Sequence, residues 1–310
     1  MNHPDPLVSV VIPAYNEELA IQNDIEVIRE TLDAAGYPWE LLVVDDGSTD
    51  RTAEIAQSLG AVVLCHSYNK GTGGARSTGV RYARGEIVVM TDADGTYPNQ
   101  DMPKLIEKVC EGYDMVVGAR RQEKGTLRWL RTPTKEFIRR LASFMTGAPI
   151  PDLNSGLRAF RRDVALRFLG ILPNTHSWVS TITLAMLANG YLVTYVPIDY
   201  YPRIGKSTFH PVRDTYNYLS LVFRALTYFN PLKVFLPVSL FIFLLGFIKM
   251  GYDIIVWQDI READVIILVV AVLITMLGML ADLVVAQNRH RYLAPPRLSR
   301  TPTDGRERSA

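Results

Sequence analysis

The sequence predicts an α/β domain with a mostly parallel sheet, followed by two helices that form a hairpin of membrane-spanning length. Two patterns lead to this prediction. Short apolar runs of strand length alternate with helical patterns before about Asp199, and two long apolar runs follow Pro231. Alternating strands and helices produce parallel sheets that helices cover on both faces. Ligands of such sheets bind beyond the carboxyl ends of the strands.

Short apolar runs indicate the strands of the first domain. The helix after the first strand has an apolar face, and Gly36 is placed to end that helix. After the second strand, residues 48–50 can cap a short helix that ends near Gly60. The apolar face of the first helix comprises Ile21, Ile25, Ile28 and Leu32. The predicted strands cover residues 8–12, 41–44, 61–65 and 87–91.

The two long apolar runs are residues 234–257 and 265–286. Each has about 22 residues, enough to cross the ~30 Å hydrocarbon core of a bilayer. Lys249 and Asp282 lie near run ends, where we expect their polar heads to reach the membrane interface. Positive charges flank the pair on both outer sides, which by the positive-inside rule places the first domain in the cytoplasm. The alternative is a pair of buried core helices in a soluble protein.

The remaining segments are less regular. Residues 211–230 have an amphipathic pattern, which suits a helix in the plane of the lipid headgroups or one packed on the sheet. Residues 289–310 are basic and are expected to form a disordered cytoplasmic tail. The formal net charge of +1 argues against a nucleic-acid partner. Cys65 and Cys110 are expected to be reduced residues of the packed interior.

Polar clusters follow the first three predicted strands. In residues 13–17 and 44–48, acids can accept hydrogen bonds from a base or a ribose, and Tyr15 can stack. Either cluster alone is more typical of a turn with a capping Asp. Residues 69–76 form a glycine-rich loop that opens a helix, which is suited to a phosphate. Arg76 occupies the place of the third glycine in a dinucleotide fingerprint, which disfavours a Rossmann dehydrogenase.

Asp92 and Asp94 follow the fourth predicted strand and are one residue apart. Two carboxylates at this spacing in an extended turn can face the same cation. Carboxylate oxygens are ligands for Mg²⁺ and Mn²⁺, and such an ion commonly bridges the phosphates of a substrate. A single D-x-D sequence is common by chance, but its position at a strand end beside the other clusters strengthens the prediction of a metal site.

Together these motifs resemble the family 2 glycosyltransferases, and more narrowly the branch of dolichol-phosphate mannose synthases and polyprenyl-phosphate glycosyltransferases. The similarity covers roughly residues 7 to 210. It implies the GT-A fold, a Rossmann-like sheet, and the membrane hairpin agrees with several members of the branch. The motifs that carry it are residues 10–17, residues 43–48, the Asn-x-Gly-x-Gly loop from Asn69, Asp92-Ala93-Asp94, residues 118–120, residues 152–158 and residues 203–207.

The resemblance implies a role for each matching position. Asp92 and Asp94 would hold the metal, and Ala93 would lie with them against the diphosphate. Arg120 and Arg203 would contact the phosphate of the donor or the acceptor, with Lys206 and Ser207 beside Arg203. Residues expected to contact the nucleotide are Pro13, Tyr15, Glu17, Val44, Asp45 and Asp46. Two positions depart from the branch, because Thr96 stands where a further Gln ligand is common and Thr208 where Lys is usual.

The acceptor is expected to be a phosphate. Relatives that build polysaccharides carry an acid as a base and then Gln-x-x-Arg-Trp, whereas no Asp or Glu lies between Asp163 and Asp199 and that motif does not occur. A lipid monophosphate is ionised already and requires cations to orient it rather than a base. The segment 120–140 offers such cations. Asp152 remains a possible base for an alternative acceptor, a sugar hydroxyl.

The sequence thus predicts an inverting glycosyltransferase that is an integral, multi-pass membrane protein. A UDP- or GDP-sugar would be the donor, Mg²⁺ or Mn²⁺ the cofactor, and dolichyl or undecaprenyl phosphate the acceptor, reached at the membrane lipid. A further alternative is a catalytically silent scaffold with the same fold, and a homo-oligomer is compatible with the sequence. The expected divisions are residues 1–210 (catalytic), 211–230 (interfacial), 231–288 (hairpin) and 289–310 (tail).

Overall fold

A single seven-stranded sheet organises the first domain. A computed structural model describes residues 7–121, 143, 147–202 and 231–288. The strands occur in the spatial order β3-β2-β1-β4-β6-β5-β7. They are β1 (Val8–Ala14), β2 (Trp39–Asp45), β3 (Val62–Cys65), β4 (Ile87–Met90), β5 (Met115–Arg120), β6 (Arg158–Arg161) and β7 (Val193–Ile198).

The prediction of a mostly parallel α/β sheet is confirmed. β1 pairs in parallel with both β2 and β4, and the β2–β3 and β5–β7 pairs are parallel as well. β6 is the exception, because it runs antiparallel to both β4 and β5. Its four residues include two arginines, so no apolar run indicates this strand in the sequence. The carboxyl ends of β1, β2 and β4 therefore meet at one edge.

Helices cover both faces of the sheet, and buried side chains of helices and strands together form two large apolar clusters. In α1, the predicted apolar face is buried, and Gly36 ends the helix with φ at 71°, a conformation that favours glycine. Cys65 and Cys110 are exposed, so the expected packing role of both is wrong. The helices of this domain are α1 (Ile21–Ala35), α2 (Thr52–Ser58), α3 (Thr72–Tyr82), α4 (Met102–Cys110), α5 (Arg162–Phe168) and α6 (Trp178–Ala188).

Two long apolar helices, α7 (Leu232–Trp257) and α8 (Glu262–Asn288), form the predicted hairpin. Both are long and apolar enough to cross a membrane, with mean hydropathies of 2.1 and 2.7. They pack closely where small residues lie at the contact, as at Gly246, which faces Ile267. Within the hairpin, Thr275 Oγ1 donates a hydrogen bond of 2.9 Å to Ser239 Oγ. The predicted interfacial helix (211–230) and tail (289–310) lie outside the described residues.

Lys249, whose polar head is expected to reach the membrane interface, forms ion pairs within the hairpin. Its ammonium lies 2.8 Å from the carboxylate of Asp253 on the same helix and also contacts Asp264 on α8. Arg261 Nε lies 3.9 Å from the same Asp253 oxygen, and its guanidinium lies over the ring of Trp257. Packing of α8 on α7 brings these charges together although 15 residues separate Lys249 from Asp264. The sequence pattern of each helix alone does not indicate this cluster.

Candidate active site

The metal-binding candidates lie in a turn directly after β4, at the carboxyl edge of the sheet. Asp92 is held from two sides. Its Oδ1 accepts a 2.6 Å hydrogen bond from Nη2 of Arg76, which is almost fully buried in α3. Its Oδ2 faces Gly156, where an added Cβ would lie only 2.5 Å away. Gly156 thus leaves the space that this carboxylate occupies.

Asp94 is oriented by Thr96, which stands where the branch commonly has a further Gln ligand. Its Oδ1 accepts hydrogen bonds from the backbone N–H of Thr96 at 3.2 Å and from the Thr96 hydroxyl at 2.5 Å. Between them Gly95 has φ at 70°, so the turn requires a residue that tolerates a left-handed backbone. Thr96 itself is buried and supports Asp94 through these two bonds.

A third acid, Asp24 on α1, lies behind this turn and was missed in the sequence analysis. It occupies the buried face of α1 between isoleucines, where the helical pattern predicts an apolar residue. Burial raises the pKa of Asp24 to about 7, and the nearby charges of Asp94, Asp92 and Glu17 add to this shift. The acids whose charges act on Asp24 follow β1 and β4, at the same edge of the sheet.

This arrangement fits a divalent metal. Within residues 7–121, 147–202 and 231–287, no group of three or more His, Cys, Asp or Glu side chains could hold an ion by itself. Two carboxylates are available, and Mg²⁺ is typically bound by one or two carboxylates together with water and substrate phosphates. The crowding of acids around Asp24 also favours a cation, because a cation relieves the repulsion among them.

The acids after β2 hold the neighbouring loop. The Asp46 carboxylate accepts hydrogen bonds from His66 Nδ1 (2.6 Å) and from the backbone N–H groups of Lys70 (2.9 Å) and Gly71 (2.8 Å). Asp45 accepts a longer bond of 3.3 Å from the N–H of Ser48. Asp46 therefore anchors the glycine-rich loop to β2, a role that the sequence did not indicate. Its contact with a nucleotide stays a prediction.

The other expected nucleotide contacts share the same edge. Tyr15 is 46% exposed just beyond β1, so its ring is available for stacking. Pro13 and Val44 are buried and adjacent across the β1–β2 pair, which leaves their backbone rather than their side chains for a ligand. Glu17 donates its backbone N–H to Thr52 Oγ1 at 2.9 Å. Ala93 is buried between the two aspartates of the turn.

Arg120 at the end of β5 forms a buried ion pair with Asp152. Nε donates to Oδ2 at 2.7 Å and Nη2 to Oδ1 at 3.0 Å, and the guanidinium lies over the ring of Tyr200. Burial alone would raise the pKa of Asp152, but the hydrogen bonds and charge of Arg120 outweigh burial and hold the pKa below its ordinary value. The contact of Arg120 with a substrate phosphate stays a prediction. Arg203, Lys206 and Ser207 lie outside the described residues.

The seven-stranded mixed sheet with acids at its carboxyl edge defines a GT-A fold. It resembles glucosyl-3-phosphoglycerate synthase from Mycobacterium tuberculosis, with a TM-score of 0.58 and 22% identity over 71% of this chain and 80% of that chain. That synthase has been crystallised with Mn²⁺, UDP and phosphoglyceric acid, and with Mg²⁺ and UDP.

Residues 9–168 match the model of glycosyl transferase family 2, and residues 230–286 match that of the GtrB C-terminal hairpin. The chain belongs to glycosyltransferase family 2. It is 35% identical to the dolichyl-phosphate hexose transferase of Haloferax volcanii over 66% of this chain and 87% of the relative. It is 36% identical to the undecaprenyl-phosphate 4-deoxy-4-formamido-L-arabinose transferase of Pseudomonas aeruginosa over 61% of this chain, but only 55% of that relative is covered.

Proposed function

We propose that this protein is an inverting glycosyltransferase that moves a sugar from a nucleotide donor to a polyprenyl phosphate. The products would be polyprenyl-phosphate-sugar and a nucleoside diphosphate. The observation that carries the proposal is the pairing of Asp92 and Asp94 at the sheet edge with an apolar hairpin in the same chain. The names of the relatives from H. volcanii and P. aeruginosa, both transferases that act with a polyprenyl-type phosphate, support the acceptor class.

The donor would lie across the carboxyl edge of the sheet. Tyr15 and the backbone of Pro13, Val44 and the nearby acids would hold the nucleotide. Asp92 and Asp94 would hold Mg²⁺ or Mn²⁺, which when bound neutralises charge that develops on the departing diphosphate. Arg76 and Thr96 keep these two carboxylates oriented, so little rearrangement is needed when the donor binds.

The state of Asp152 favours a phosphate acceptor over a sugar hydroxyl. A hydroxyl acceptor requires a general base, and effective bases have pKa values near the operating pH. Asp152 is bound through both carboxylate oxygens by Arg120, which lowers its pKa and makes it a poor base. An ionised lipid phosphate can attack the anomeric carbon without such a base, from the face opposite the departing diphosphate.

The hairpin would bring this site to its acceptor. Under the proposal both helices cross the bilayer and the catalytic domain faces the cytoplasm, because the flanks of the hairpin are rich in Lys and Arg. The divisions at residues 210, 230 and 288 belong to the same proposal. In a chain whose exposed Cys65 and Cys110 are first replaced by Ser, single cysteines introduced at position 33 and in loop 258–261 are tested for labelling by a membrane-impermeant thiol reagent. Labelling of both positions from the same side would contradict this topology.

The direct test is a donor screen with the purified full chain in detergent. UDP- and GDP-sugars are combined with undecaprenyl or dolichyl phosphate and Mn²⁺, and released nucleoside diphosphate and labelled lipid are measured. We expect a lipid product that mild acid cleaves, and its loss on addition of EDTA. Label that enters only polysaccharide or protein would favour the hydroxyl alternative. A chain to which Mn²⁺ and nucleotide give no thermal stabilisation would instead be the silent scaffold.

A further inference from the structure

Asp24 connects helix α1 to the turn that carries the paired acids. Its Oδ2 accepts a 3.0 Å hydrogen bond from the backbone N–H of Gly95, the residue directly after Asp94. Its Oδ1 accepts a 2.9 Å bond from Nδ2 of Asn99, at the start of the short helical turn before α4. One carboxylate thus binds two points of the chain that lie 71 and 75 residues away in sequence.

Asn99 extends the connection to the other end of the turn. Its side-chain Oδ1 accepts a 2.8 Å hydrogen bond from the hydroxyl of Thr91, the residue directly before Asp92. The hydrogen bonds from Thr91 to Asn99, from Asn99 to Asp24 and from Gly95 to Asp24 therefore enclose Asp92 and Asp94. Asp24, Asn99 and Thr91 are all buried, so water competes little for these bonds.

An apolar residue at position 24 would be the simpler way to stabilise this helix. Ile21, Ile25 and Ile28 occupy the same buried face of α1. A carboxylate buried among them is unfavourable unless its hydrogen bonds offset the loss of hydration. The raised pKa of Asp24 reflects that burial. The structure therefore offers a reason for Asp24 other than stability of the core.

We propose that Asp24 is a positioning residue, which holds the backbone at Gly95 and Asn99 so that Asp92 and Asp94 face a common metal ion. This inference rests on the proposed function and deepens it. It gives helix α1, which lies outside the motifs of the resemblance, the role of supporting the metal site. Residues that support metal ligands without touching the metal commonly change metal affinity by about 10–100-fold when they are replaced.

A swap of the two side chains tests the proposal. Asn99→Asp replaces the amide that donates to Oδ1 of Asp24 with a second carboxylate oxygen, so the connection is lost when both carboxylates are ionised. The double variant Asp24→Asn with Asn99→Asp restores it, because the new amide donates to position 99 and its oxygen still accepts from Gly95. The new carboxylate at 99 still accepts from Thr91. Asp33→Asn on the exposed side of α1 is the matched control.

The measurement is the affinity of the full chain for Mn²⁺, followed by the electron paramagnetic resonance signal of free Mn²⁺ with UDP or GDP present. We expect Asn99→Asp to weaken Mn²⁺ binding by about 10–100-fold, and the double variant to recover most of the wild-type affinity. Asp33→Asn should bind as the wild type does. Thermal denaturation without metal establishes that each variant is folded.

Each outcome either supports or overturns the positioning role of Asp24. Positioning is overturned if Asn99→Asp binds Mn²⁺ normally, or if the double variant is as weak as the single one. If Asn99→Asp fails to fold, the double variant is compared with the wild type, and failure of both to fold would give Asp24 a purely structural role. If the wild type itself does not bind Mn²⁺ with either nucleotide, the proposed function fails rather than the role of Asp24.

Discussion

Two clusters of charged side chains in the described part of this protein differ in the partners of their acids. In the hairpin, Lys249 and Arg261 lie beside Asp253 and Asp264, so that two positive charges accompany two negative ones. At the edge of the sheet, acids crowd together, and the charges of Asp92 and Asp94 help to raise the pKa of Asp24. Arg76 contacts Asp92 there, while Asp24 accepts bonds from an amide and a backbone N–H.

This difference indicates which of the two clusters is structural and which binds a ligand. A balanced cluster is satisfied within the chain, so we infer that the hairpin charges join two helices. At the sheet edge neighbouring acids help to raise the pKa of Asp24, and a bound cation would offset their repulsion, so we infer that the sheet edge binds a ligand. The predictions below test this distinction, beginning with the largest expected effect.

Asp94→Asn should produce the largest loss. We expect kcat/KM for transfer to polyprenyl phosphate to fall by at least about 100-fold, because replacement of groups that merely support a ligand already lowers metal affinity by about 10–100-fold. Mn²⁺ affinity should fall with it. Asp101→Asn is the matched control, since Asp101 forms an ion pair with Lys104 away from the turn. Equal activity of the two variants would refute a metal role for Asp94.

Gly156→Ala should displace Asp92. The added Cβ would lie 2.5 Å from Oδ2 of Asp92 and 3.0 Å from the ring of Tyr97, so the carboxylate must move. A displacement of about 1 Å in a catalytic group can lower the rate by up to about 100-fold. Gly170→Ala is the control, because its new Cβ meets no atom within 4 Å. If Gly156→Ala retains wild-type Mn²⁺ affinity and rate, Asp92 does not depend on this space.

Asp152→Asn should destabilise the folded domain in a pH-dependent manner. The ion pair with Arg120 is nearly buried, with side chains 12% and 10% exposed, and removal of one partner from such a pair costs about 3–5 kcal/mol. The folded pKa of Asp152 lies below the ordinary 3.8, so the stabilising effect is present above pH 3.8 and is lost as pH falls through the folded pKa.

The measurement is the Tm of both proteins across pH. We expect the largest gap near neutral pH and convergence in acid, and a gap that is independent of pH would contradict the ion pair as its cause. Transferase assays of Asp152→Asn must be expressed per folded molecule, because a loss of activity caused by unfolding would otherwise be mistaken for the loss of a base.

Lys249→Met should have the smallest effect on the reaction. Removal of the ammonium leaves Asp253 and Asp264 with less positive charge, and we expect Tm in detergent to fall by several degrees while Mn²⁺ affinity is unchanged. Asp259→Asn in the exposed connection between the helices is the charge control and should leave Tm unchanged. A loss of Mn²⁺ affinity in Lys249→Met would remove the distinction between the two clusters.

Local patterns were sufficient for much of the architecture. The apolar face of α1 and the glycine that ends it follow from helical periodicity, and the hairpin follows from length and hydropathy, because these signals depend on neighbours in the chain. Of the seven strands, β5, β6 and β7 were not predicted. β6 carries no strand pattern, because two of its four residues are arginines, and only the flanking strands β4 and β5 provide its pairing.

The candidate site was also predicted only in part from local patterns. The sequence by itself determined that acids and a glycine-rich loop follow parallel strands and so gather at one edge, and it identified Asp92 and Asp94. Only the tertiary structure decided what surrounds them: Arg76 on Asp92, Thr96 on Asp94, Asp24 beneath the turn, and Arg120 on Asp152. Except for Thr96, which is two residues from Asp94, these partners are distant in sequence, and hydrogen bonds between distant residues depend on how elements pack rather than on any local pattern.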